Sequence, residues 1–229
     1  MENQITMEDQ IILIDKPSGI SSFGVVAKVR GYLRTKFGHK VKVGHTGTLD
    51  PFATGLLILL SGKNTKKSPE FLKLDKSYEA TLKLGYNSTT GDPEGEITPF
   101  SEPISEKPSL AKIESVLHSF LGQITQTPPR FSAIKIGGER AYKLARKGHI
   151  FEIPSRTVTI YNIEILDYHY PELTIRCHVS SGTYIRTLAE DIGKKINTGA
   201  YLTSLRRISV GDYHVKDATP LSHFTKKPD

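Results

Sequence analysis

The hydrophobic pattern of the amino-terminal part predicts a buried strand followed by a helix. The strand covers residues 10 to 15 (QIILID) and ends at the turn sequence Lys16-Pro17-Ser18-Gly19. A helix capped by Ser21 or Ser22 then runs through Arg34. Apolar residues recur along it at helical spacing and form one stripe: Val25, Val26, Val29 and Leu33.

The next segments predict strands on either side of a polar loop. Residues 41 to 44 and 56 to 61 have strand character, and between them lies a glycine-broken loop that contains Asp50. Residues 77 to 86 (SYEATLKLGY) alternate as a further strand and lead into the turn-rich sequence NSTTGDPEG. We therefore expect Asp50 at the rim of an apolar core.

The remaining pattern mixes helices with long strands. After residue 154 the chain favours β structure, with a long hairpin about Pro171-Glu172. The other predicted elements are a helix over 109 to 121, a strand over Phe131 to Ile136, a short helix over Glu139 to Lys147, a helix with Ile185, Leu188, Ala189 and Ile192 on one face, and a strand over LTSLRRISVGDY. This order predicts an α+β fold with a large mixed, mainly antiparallel sheet flanked by helices.

Composition limits the class of protein. The chain has 229 residues, 37% hydrophobic and 24% charged, with a net charge of +7, which favours a polyanionic partner such as nucleic acid. A basic enzyme without such a partner is the alternative. The chain has one cysteine, Cys177, which excludes an internal disulfide and any multi-cysteine metal site. The longest aliphatic run, Leu56 to Leu60, is far shorter than a membrane span, and no signal peptide is visible, so we expect a cytoplasmic protein.

Common catalytic motifs are absent from the sequence. The segment SGKNT at 61 to 65 lacks the earlier glycine of a phosphate loop, and the eight histidines show no metal-ligand spacing. No G-x-S-x-G is present. We therefore expect no metal site.

Asp50 is the first candidate for chemistry. Asp-Pro is ordinary turn chemistry, so a simple turn is the alternative. The apolar strands on both sides argue against it, because a carboxylate at the rim of a core requires a partner or a function.

Arg186 is a candidate partner for that carboxylate. It lies in the first turn of its predicted helix, where a positive charge opposes the helix dipole, and off the apolar stripe. This position predicts a specific anion, either a carboxylate or a phosphate, and a pair with Asp50 would keep that acid ionised and oriented. An exposed surface arginine is the alternative.

Aromatic and basic residues extend the candidate site. Tyr78 and Tyr184 offer flat surfaces that stack on bases, although packed core tyrosines are the alternative, and His45 lies on the same loop as Asp50. Basic residues on several elements fit a phosphate backbone, and each group alone also fits a solvated face: Lys63, Lys66, Lys67; Arg140, Lys143, Arg146, Lys147; Arg206, Arg207.

Seven sequence blocks, in order, closely resemble the TruB-type tRNA pseudouridine synthases. They are DKPSGISS, VGHTGTLDPFATGLL, KSYEATLKLG, TTGDPEG, PPRFSAIKIGGERAYKLARKG, SSGTYIRTLAEDIG and YLTSLRR, and they cover roughly residues 10 to 210. The resemblance implies the pseudouridine synthase fold and an isomerase that converts uridine 55 in the T loop of tRNA to pseudouridine, without cofactor or metal.

The resemblance also implies roles for individual residues. Asp50 matches the nucleophile, Arg186 its arginine partner, and Tyr78 the tyrosine that stacks on the target base and helps to remove the C5 proton. His45 matches the histidine that fills the space left by the flipped uridine. Tyr184 and Leu205 match positions that line the uridine pocket, and Lys16 with Pro17 matches the first family motif, whose part is more structural.

The resemblance leaves alternatives open. These are a pseudouridine synthase for another RNA, with or without a guide RNA, and a tRNA-binding or RNA-folding protein with secondary catalysis. We expect residues 1 to 229 to form a single catalytic domain without a complete carboxy-terminal PUA domain, because only 22 residues follow Arg207. We further expect a monomer that binds the T stem-loop and needs neither a membrane nor an obligate protein partner.

Overall fold

The computed structural model describes residues 8–102 and 106–226, which form two compact units. The first unit contains the residues up to Ser77 and those from Arg206 onward, and the second contains Tyr78–Leu205. Two strands, Lys76–Leu84 and Ala200–Val210, contribute residues to both units.

The elements of the first unit begin with the predicted strand, helix and two strands, which are followed by a 3-10 helix and a short α-helix that the sequence did not predict. These elements are β1 (Ile11–Lys16), α1 (Ser22–Phe37), β2 (Val43–His45), β3 (Thr54–Ser61), a 3-10 helix (Gly62–Lys67) and α2 (Ser68–Leu72). The second unit begins on β4 (Lys76–Leu84) and continues with β5 (Tyr86–Ser88), β6 (Ile97–Pro99), α3 (Leu110–His118), β7 (Gly122–Gln126), β8 (Lys135–Ile136), β9 (Glu139–Arg140), α4 (Ala141–Arg146), β10 (Arg156–His169), β11 (Glu172–Val179) and α5 (Ile185–Ile196). The chain returns to the first unit along β12 (Ala200–Val210), followed by β13 (Tyr213–His214), β14 (Thr219–Pro220) and 3-10 turns at Val215–Asp217 and Leu221–Thr225.

In the first unit the sheet is centred on β3. Its strand order is β14-β1-β3-β12, with β2 also paired to β3 and β13 paired to β12. β1 and β3 are antiparallel from Ile11 opposite Leu60 to Lys16 opposite Gly55, whereas β12 lies parallel to β3 at Arg206 and Arg207. One face of β3 packs Leu56, Ile58 and Leu60 against Phe71 and Val210. This explains the uninterrupted aliphatic run, since β3 is buried along almost its whole length.

Helix α1 forms where the hydrophobic spacing predicts it. The Ser21 hydroxyl accepts a hydrogen bond from the Gly24 amide, and Gly38 ends the helix in the left-handed conformation (φ 75°). Its predicted stripe of Val25, Val26, Val29 and Leu33 is buried. The helix extends three residues beyond the predicted end at Arg34.

The second unit contains the predicted hairpin. β10 and β11 are antiparallel, with His169 opposite Glu172, so the turn lies at Tyr170-Pro171. β7 pairs with the other edge of β10, which completes the strand order β12-β4-β11-β10-β7. Helices α3 and α5 pack on each other. The predicted fold class, α+β with a large and mainly antiparallel sheet, is confirmed.

Two predicted elements differ from the structure between Pro129 and Lys147. Of the predicted strand Phe131 to Ile136, only Lys135–Ile136 is a strand, paired with Glu139–Arg140. The carbonyls of Ser132 and Ile134 instead accept from the amides of Tyr142 and Ala141 at the start of α4. That helix begins at Ala141 rather than Glu139 because the first two predicted residues belong to a two-stranded hairpin.

Glycine substitutions test the packing of α5, and a glycine on the open face of α1 provides the reference. A Cβ added at Gly193 collides with the main chain of Gly199 and Ala200, whereas one added at Gly31 in the middle of α1 meets nothing within 4 Å. We expect Gly193→Ala to lower the free energy of unfolding by about 1–3 kcal/mol. Gly31→Ala should raise it by up to about 1 kcal/mol, because alanine favours the helix. Denaturant unfolding measures both, and equal stabilities of the two variants would contradict the packing at Gly193.

Lys76 gives a pH-dependent prediction. Its ammonium is buried and donates to the carbonyls of Leu72, at 2.9 Å, and Leu74. Burial, reinforced by the positive charge of Arg207, lowers the pKa of Lys76 from 10.5 to about 8. The unfolded chain therefore binds more protons than the folded protein between pH 8 and 10.5, so this residue makes stability rise with pH across that window.

The comparison is between wild type and Lys76→Met. From pH 7 to pH 10 the free energy of unfolding of the wild type should gain about 2 kcal/mol relative to the variant. Denaturant midpoints at several pH values measure this difference. A constant difference across the range would show that the ammonium keeps its ordinary pKa.

Candidate active site

Asp50 lies in the loop between β2 and β3 of the first unit and is a half-buried residue. The loop is tied to neighbouring elements through its main chain. The Thr46 amide donates to Ile58 O at 3.0 Å, and the Ala53 amide donates to Asp50 O at 3.2 Å. The hydroxyl of Ser22, at the start of α1, accepts from Leu49 N at 2.8 Å and donates to Leu49 O at 2.9 Å. The residue before Asp50 is thus fixed by a helix terminus.

Lys16 holds the other side of Asp50. Its side chain is fully buried, and its ammonium donates to Pro51 O at 3.0 Å, Ala53 O at 2.6 Å and Pro17 O at 2.9 Å. Three carbonyl dipoles compensate the loss of hydration of this charge. The sequence assigned Lys16 to the site, and the structure gives it the task of fixing the main chain that follows Asp50.

Arg207 is a residue whose position the sequence did not reveal. It was grouped with Arg206 as a contact for a phosphate backbone, but its guanidinium is buried. Nε donates to Leu56 O at 2.7 Å, Nη2 to Gly47 O at 3.2 Å, and Nη1 to Thr48 O at 3.5 Å. Arg207 therefore binds the loop that carries Asp50, and the prediction of a phosphate contact is wrong for it. The sequence signal that could have indicated burial is the position of Arg207 in the alternating pattern of the predicted strand LTSLRRISVGDY.

Gly55 permits this arrangement at the base of the loop. Its φ is +99°, and an added Cβ would lie 2.7 Å from Arg207 N. β3 and β12 can approach each other at this point only because residue 55 has no side chain. The glycine therefore brings Arg207 to the loop.

His45 ends β2 and is half-buried. Its position is set by the strand, since residues 43 to 45 pair with 61 to 59 of β3. His45 thus enters the loop from a fixed strand, five residues before Asp50.

Arg186 is buried in the second unit, in the first turn of α5. Nη1 lies 3.1 Å from Asp92 Oδ2 and donates to Thr90 O at 2.9 Å, and Nη2 donates to Phe131 O at 2.9 Å. The alternative of an exposed surface arginine is therefore wrong, and one anion that Arg186 binds is the carboxylate of Asp92. The predicted pair with Asp50 stays a prediction. Asp92 was not among the residues that the sequence assigned to the site.

Asp92 organises the turn in which it lies. Its Oδ1 accepts from the Thr90 hydroxyl at 2.6 Å and from the Glu94 amide at 3.0 Å, while its main-chain carbonyl accepts from the Ser88 hydroxyl at 2.6 Å. Both carboxylate oxygens are therefore used, one for the turn and one for Arg186. The sequence GDPEG, with its Asp-Pro and two glycines, predicted the turn but not its guanidinium partner.

Glu190 packs behind this pair, one helical turn after Arg186. Its Oε1 would lie 2.5 Å from a Cβ at Gly91 (φ +73°), so the glycine gives the carboxyl group its space. Burial raises the pKa of Glu190, and the positive charges of Lys194 and Arg186 partly oppose the rise. A second acidic side chain thus lies near Arg186.

Tyr78 lies on β4 among alternating buried positions, with 8% of its surface exposed. Its main chain approaches the thiol of Cys177 on β11. Burial raises the pKa of Cys177 to about 12, so this cysteine is a packed apolar residue rather than a nucleophile. The main chain of Tyr78 is thus part of the sheet.

Tyr184 immediately precedes α5. The Gln126 side chain fixes its main chain at two points, donating to Tyr184 O at 3.0 Å and accepting from Tyr184 N at 2.7 Å. The Arg156 guanidinium stacks over the ring, 4.8 Å from its centroid. Leu205, on β12, is buried. The predicted residues are thus divided between the units, with Asp50, His45 and Lys16 in the first and Tyr78, Tyr184, Arg186 and Leu205 in the second.

Within 8–102 and 106–226, no group of three or more His, Cys, Asp or Glu residues could hold a metal ion. In the same part of the chain, no helix combines the length and apolar character needed to span a bilayer.

Comparison with known proteins identifies the class. The family model described as TruB family pseudouridylate synthase (N terminal domain) matches residues 34–185, and the model described as tRNA pseudouridylate synthase B C-terminal domain matches residues 186–227. Similar solved structures include a Cbf5-Nop10-Gar1 complex, with 27% identity and a TM-score of 0.68 over 93% of this chain and 52% of that one. An archaeal box H/ACA sRNP Nop10-Cbf5 complex gives 26% identity and a TM-score of 0.69 over 97% of this chain and 54% of that one. The fold is that of a pseudouridine synthase.

Curated relatives narrow the class to a family. The tRNA pseudouridine synthase B of Phocaeicola vulgatus is 46% identical over 95% of this chain and 92% of its own length. That of Aquifex aeolicus is 43% identical over 94% of this chain and 73% of its own length. The chain belongs to the TruB family of pseudouridine synthases.

Neighbouring arginines on β12 provide a test of the loop's support. Arg207→Met removes donors from three carbonyls around the Asp50 loop, and we expect it to lower the free energy of unfolding by about 2–4 kcal/mol. Arg206 forms a half-exposed ion pair with Asp15 at 2.8 Å, so Arg206→Met should cost only about 0–1 kcal/mol. Urea unfolding measures both variants. Equal losses would mean that the buried hydrogen bonds of Arg207 contribute nothing beyond a surface pair.

Proposed function

We propose that this protein isomerises uridine 55 in the T loop of tRNA to pseudouridine, with Asp50 as the nucleophile and with no cofactor. Membership of the TruB family supports the reaction, and relatives named tRNA pseudouridine synthase B, up to 46% identical, support the choice of RNA. The two family models together span residues 34 to 227, so the proposal concerns nearly the whole chain.

One observation carries the assignment of the nucleophile. Ser22, Lys16 and Arg207 each bind main-chain atoms of the loop around Asp50, so its backbone is held on both sides. A catalytic group acts most effectively when its position is set before the substrate arrives. The Asp50 carboxylate is the group required for attack, and this support fixes the main chain from which it extends.

We assign Arg186 as the cationic partner that favours the ionised form of Asp50. Its pair with Asp92 supports this role, because a guanidinium bound at two nitrogens has a fixed orientation. Arg186 is also buried, where electrostatic interactions are stronger than in water.

The target uridine must leave the stacked T loop before it can react. Extrusion of a base costs a few kcal/mol, and stacking on the Tyr78 ring would return about 1–3 kcal/mol. We assign His45 to the space that the flipped base leaves, and Tyr184 and Leu205 to the walls of the uridine pocket. Lys16 acts through the main chain next to Asp50.

The chemistry is an isomerisation whose atoms balance without a co-reactant. Asp50 forms a transient bond, to the ribose or to the base, that starts cleavage of the bond between ribose C1′ and uracil N1. This transient bond is broken again before the product leaves, so the carboxylate is regenerated. The uracil turns over and forms a new bond from its C5 to C1′, the C5 proton leaves with the help of Tyr78, and N1 gains a proton. The groups assigned to the chemistry and to base stacking are therefore one nucleophile (Asp50), one cation (Arg186) and one aromatic ring (Tyr78).

A second RNA substrate is the main alternative. The likeness to Cbf5 complexes, at 26–27% identity, is compatible with the same chemistry on other RNAs. The higher identity to tRNA pseudouridine synthases B favours tRNA. We also propose that the enzyme works as a monomer in the cytoplasm, without an obligate protein partner.

Tritium release from tRNA labelled at uracil C5 tests the proposal. Wild type should release tritium from uridine 55, and Asp50→Asn should reduce the rate by a factor on the order of 10³ or more. The exposed Asp212, in the turn after β12, offers a matched control, and Asp212→Asn should keep the wild-type rate. Both variants should fold and bind tRNA like wild type.

Two outcomes would contradict the proposal. Substantial turnover by folded Asp50→Asn would remove Asp50 as the nucleophile. Release that maps to a different uridine, or only from a non-tRNA transcript, would transfer the activity to another substrate.

A further inference from the structure

Charge is distributed unevenly along the first unit. Between Lys16 and Leu49 the chain has seven of its 31 Lys and Arg residues and none of its 24 Asp and Glu residues. Lys16 is buried. The other six cations are exposed: Lys28, Arg30, Arg34, Lys36, Lys40 and Lys42. Most of this segment is α1, and it leads directly to Asp50.

The exposed face of α1 combines an aromatic ring with two arginines. Phe23, Arg30 and Arg34 lie within about 40° of one another around the helix, at spacings of seven and four residues. Ala27 lies on the same face, so a small side chain separates the ring from the arginines. We call Phe23, Ala27, Arg30 and Arg34 the α1 stripe.

Packing explains the other side of α1 but not the α1 stripe. Val25, Val26, Val29 and Leu33 are buried, and Tyr32 packs against Phe224 with ring centroids 5.2 Å apart. Phe23, in contrast, is 66% exposed, with the Arg30 guanidinium 5.9 Å from its ring centroid. An exposed aromatic beside arginines has the chemistry that stacks on bases and binds phosphates.

The α1 stripe leads away from the Asp50 loop. Ser22, the first residue of α1, hydrogen-bonds to Leu49 at 2.8 Å and 2.9 Å. From there Phe23 is about 1.5 Å along the helix axis, Arg30 about 12 Å and Arg34 about 18 Å. These distances exceed the reach of one flipped nucleotide, so the arginines would meet RNA that flanks the target.

We propose that the α1 stripe is a docking track for the substrate RNA, with Phe23 stacking on a nucleotide near the target and Arg30 and Arg34 binding successive phosphates. The occupant is RNA rather than an acidic protein because a ring and regularly spaced cations fit alternating bases and phosphates. This inference rests on the proposed function for the identity of the RNA.

The test compares charge-neutralised variants in tRNA binding. Arg30→Gln/Arg34→Gln removes two cations from the α1 stripe, and Lys194→Gln/Lys195→Gln removes two exposed cations from the end of α5. With unmodified tRNA at about 0.1 M salt, we expect the first variant to bind roughly tenfold more weakly. Because two phosphate contacts are lost, the slope of log K against log[salt] should become shallower by about 1.5. The α5 control should keep both wild-type values.

Further variants separate binding from folding and from chemistry. Because Arg30 also donates to Val43 O at 3.4 Å, Arg34→Gln alone provides a second measurement, with about half the change in salt slope. Arg34→Lys, which keeps the positive charge, should restore the wild-type salt slope. At saturating tRNA all these variants should isomerise uridine at the wild-type rate, with the loss confined to KM.

Phe23→Ala tests the stacking part of the proposal. It should weaken tRNA binding several-fold without changing the salt slope, because stacking releases no counterions. A change in slope, or unchanged affinity, would overturn the role of Phe23.

The outcomes for the α1 stripe are distinct from those for the catalytic proposal. Wild-type affinity and salt slope in the double arginine variant would overturn the stripe, as would loss of binding to anionic phospholipid vesicles with tRNA binding intact. Failure of wild type to modify tRNA, tested by tritium release, would overturn the proposed function irrespective of these binding values.

Discussion

The candidate site depends on buried cations that bind main-chain carbonyls. Glycines let a loop sample many conformations, and the Asp50 loop contains Gly47 and is flanked by Gly44 on β2 and Gly55 on β3. Lys16 and Arg207 place their charges inside the first unit and use carbonyls of the loop to replace water. Because an uncompensated buried charge is costly, movement of the loop away from these cations is unfavourable. The carbonyls hold the cations, and the cations hold the loop.

A different solution operates around Arg186. Its guanidinium is bound by a carboxylate as well as by two carbonyls, and the carboxylate of Asp92 is itself bound by the turn that contains it. The turn and the first turn of α5 therefore determine each other's positions. Glu190, with a pKa raised by burial, adds an acid behind the pair. Such a network restricts Arg186 to one orientation, which a helix dipole alone would oppose.

Charge has two separate uses in this chain. Buried cations such as Lys16, Arg186 and Arg207 support the architecture, and exposed ones such as Arg30 and Arg34 face solvent. A net charge of +7 therefore says little by itself about how much of the surface meets a polyanion. The exposed subset carries the argument for RNA binding, because only accessible cations can release counterions from phosphates.

Local pattern determined most elements of this protein. The buried apolar face of α1, the aliphatic run of β3, the alternation of β4 and the Pro171 hairpin each follow from hydrophobic spacing, capping residues or turn chemistry within a short window. The strand predicted over Phe131 to Ile136 was mostly wrong because carbonyls of this segment accept hydrogen bonds from the start of α4. The spacing of apolar residues does not encode that contact. The motifs around Asp50, Arg186 and Tyr78 also identified the family from sequence alone.

Tertiary structure decided which charges are buried and what they bind. Arg206 and Arg207 are adjacent in sequence, yet one forms a half-exposed ion pair with Asp15 and the other lies buried under the Asp50 loop. Likewise, Asp92 is 94 residues from Arg186 in the chain, and only the fold brings the two within 3.1 Å. Sequence determines the identity and spacing of side chains along a strand or helix. Burial and long-range partners depend on the packing of distant elements, and that packing is a property of the whole fold.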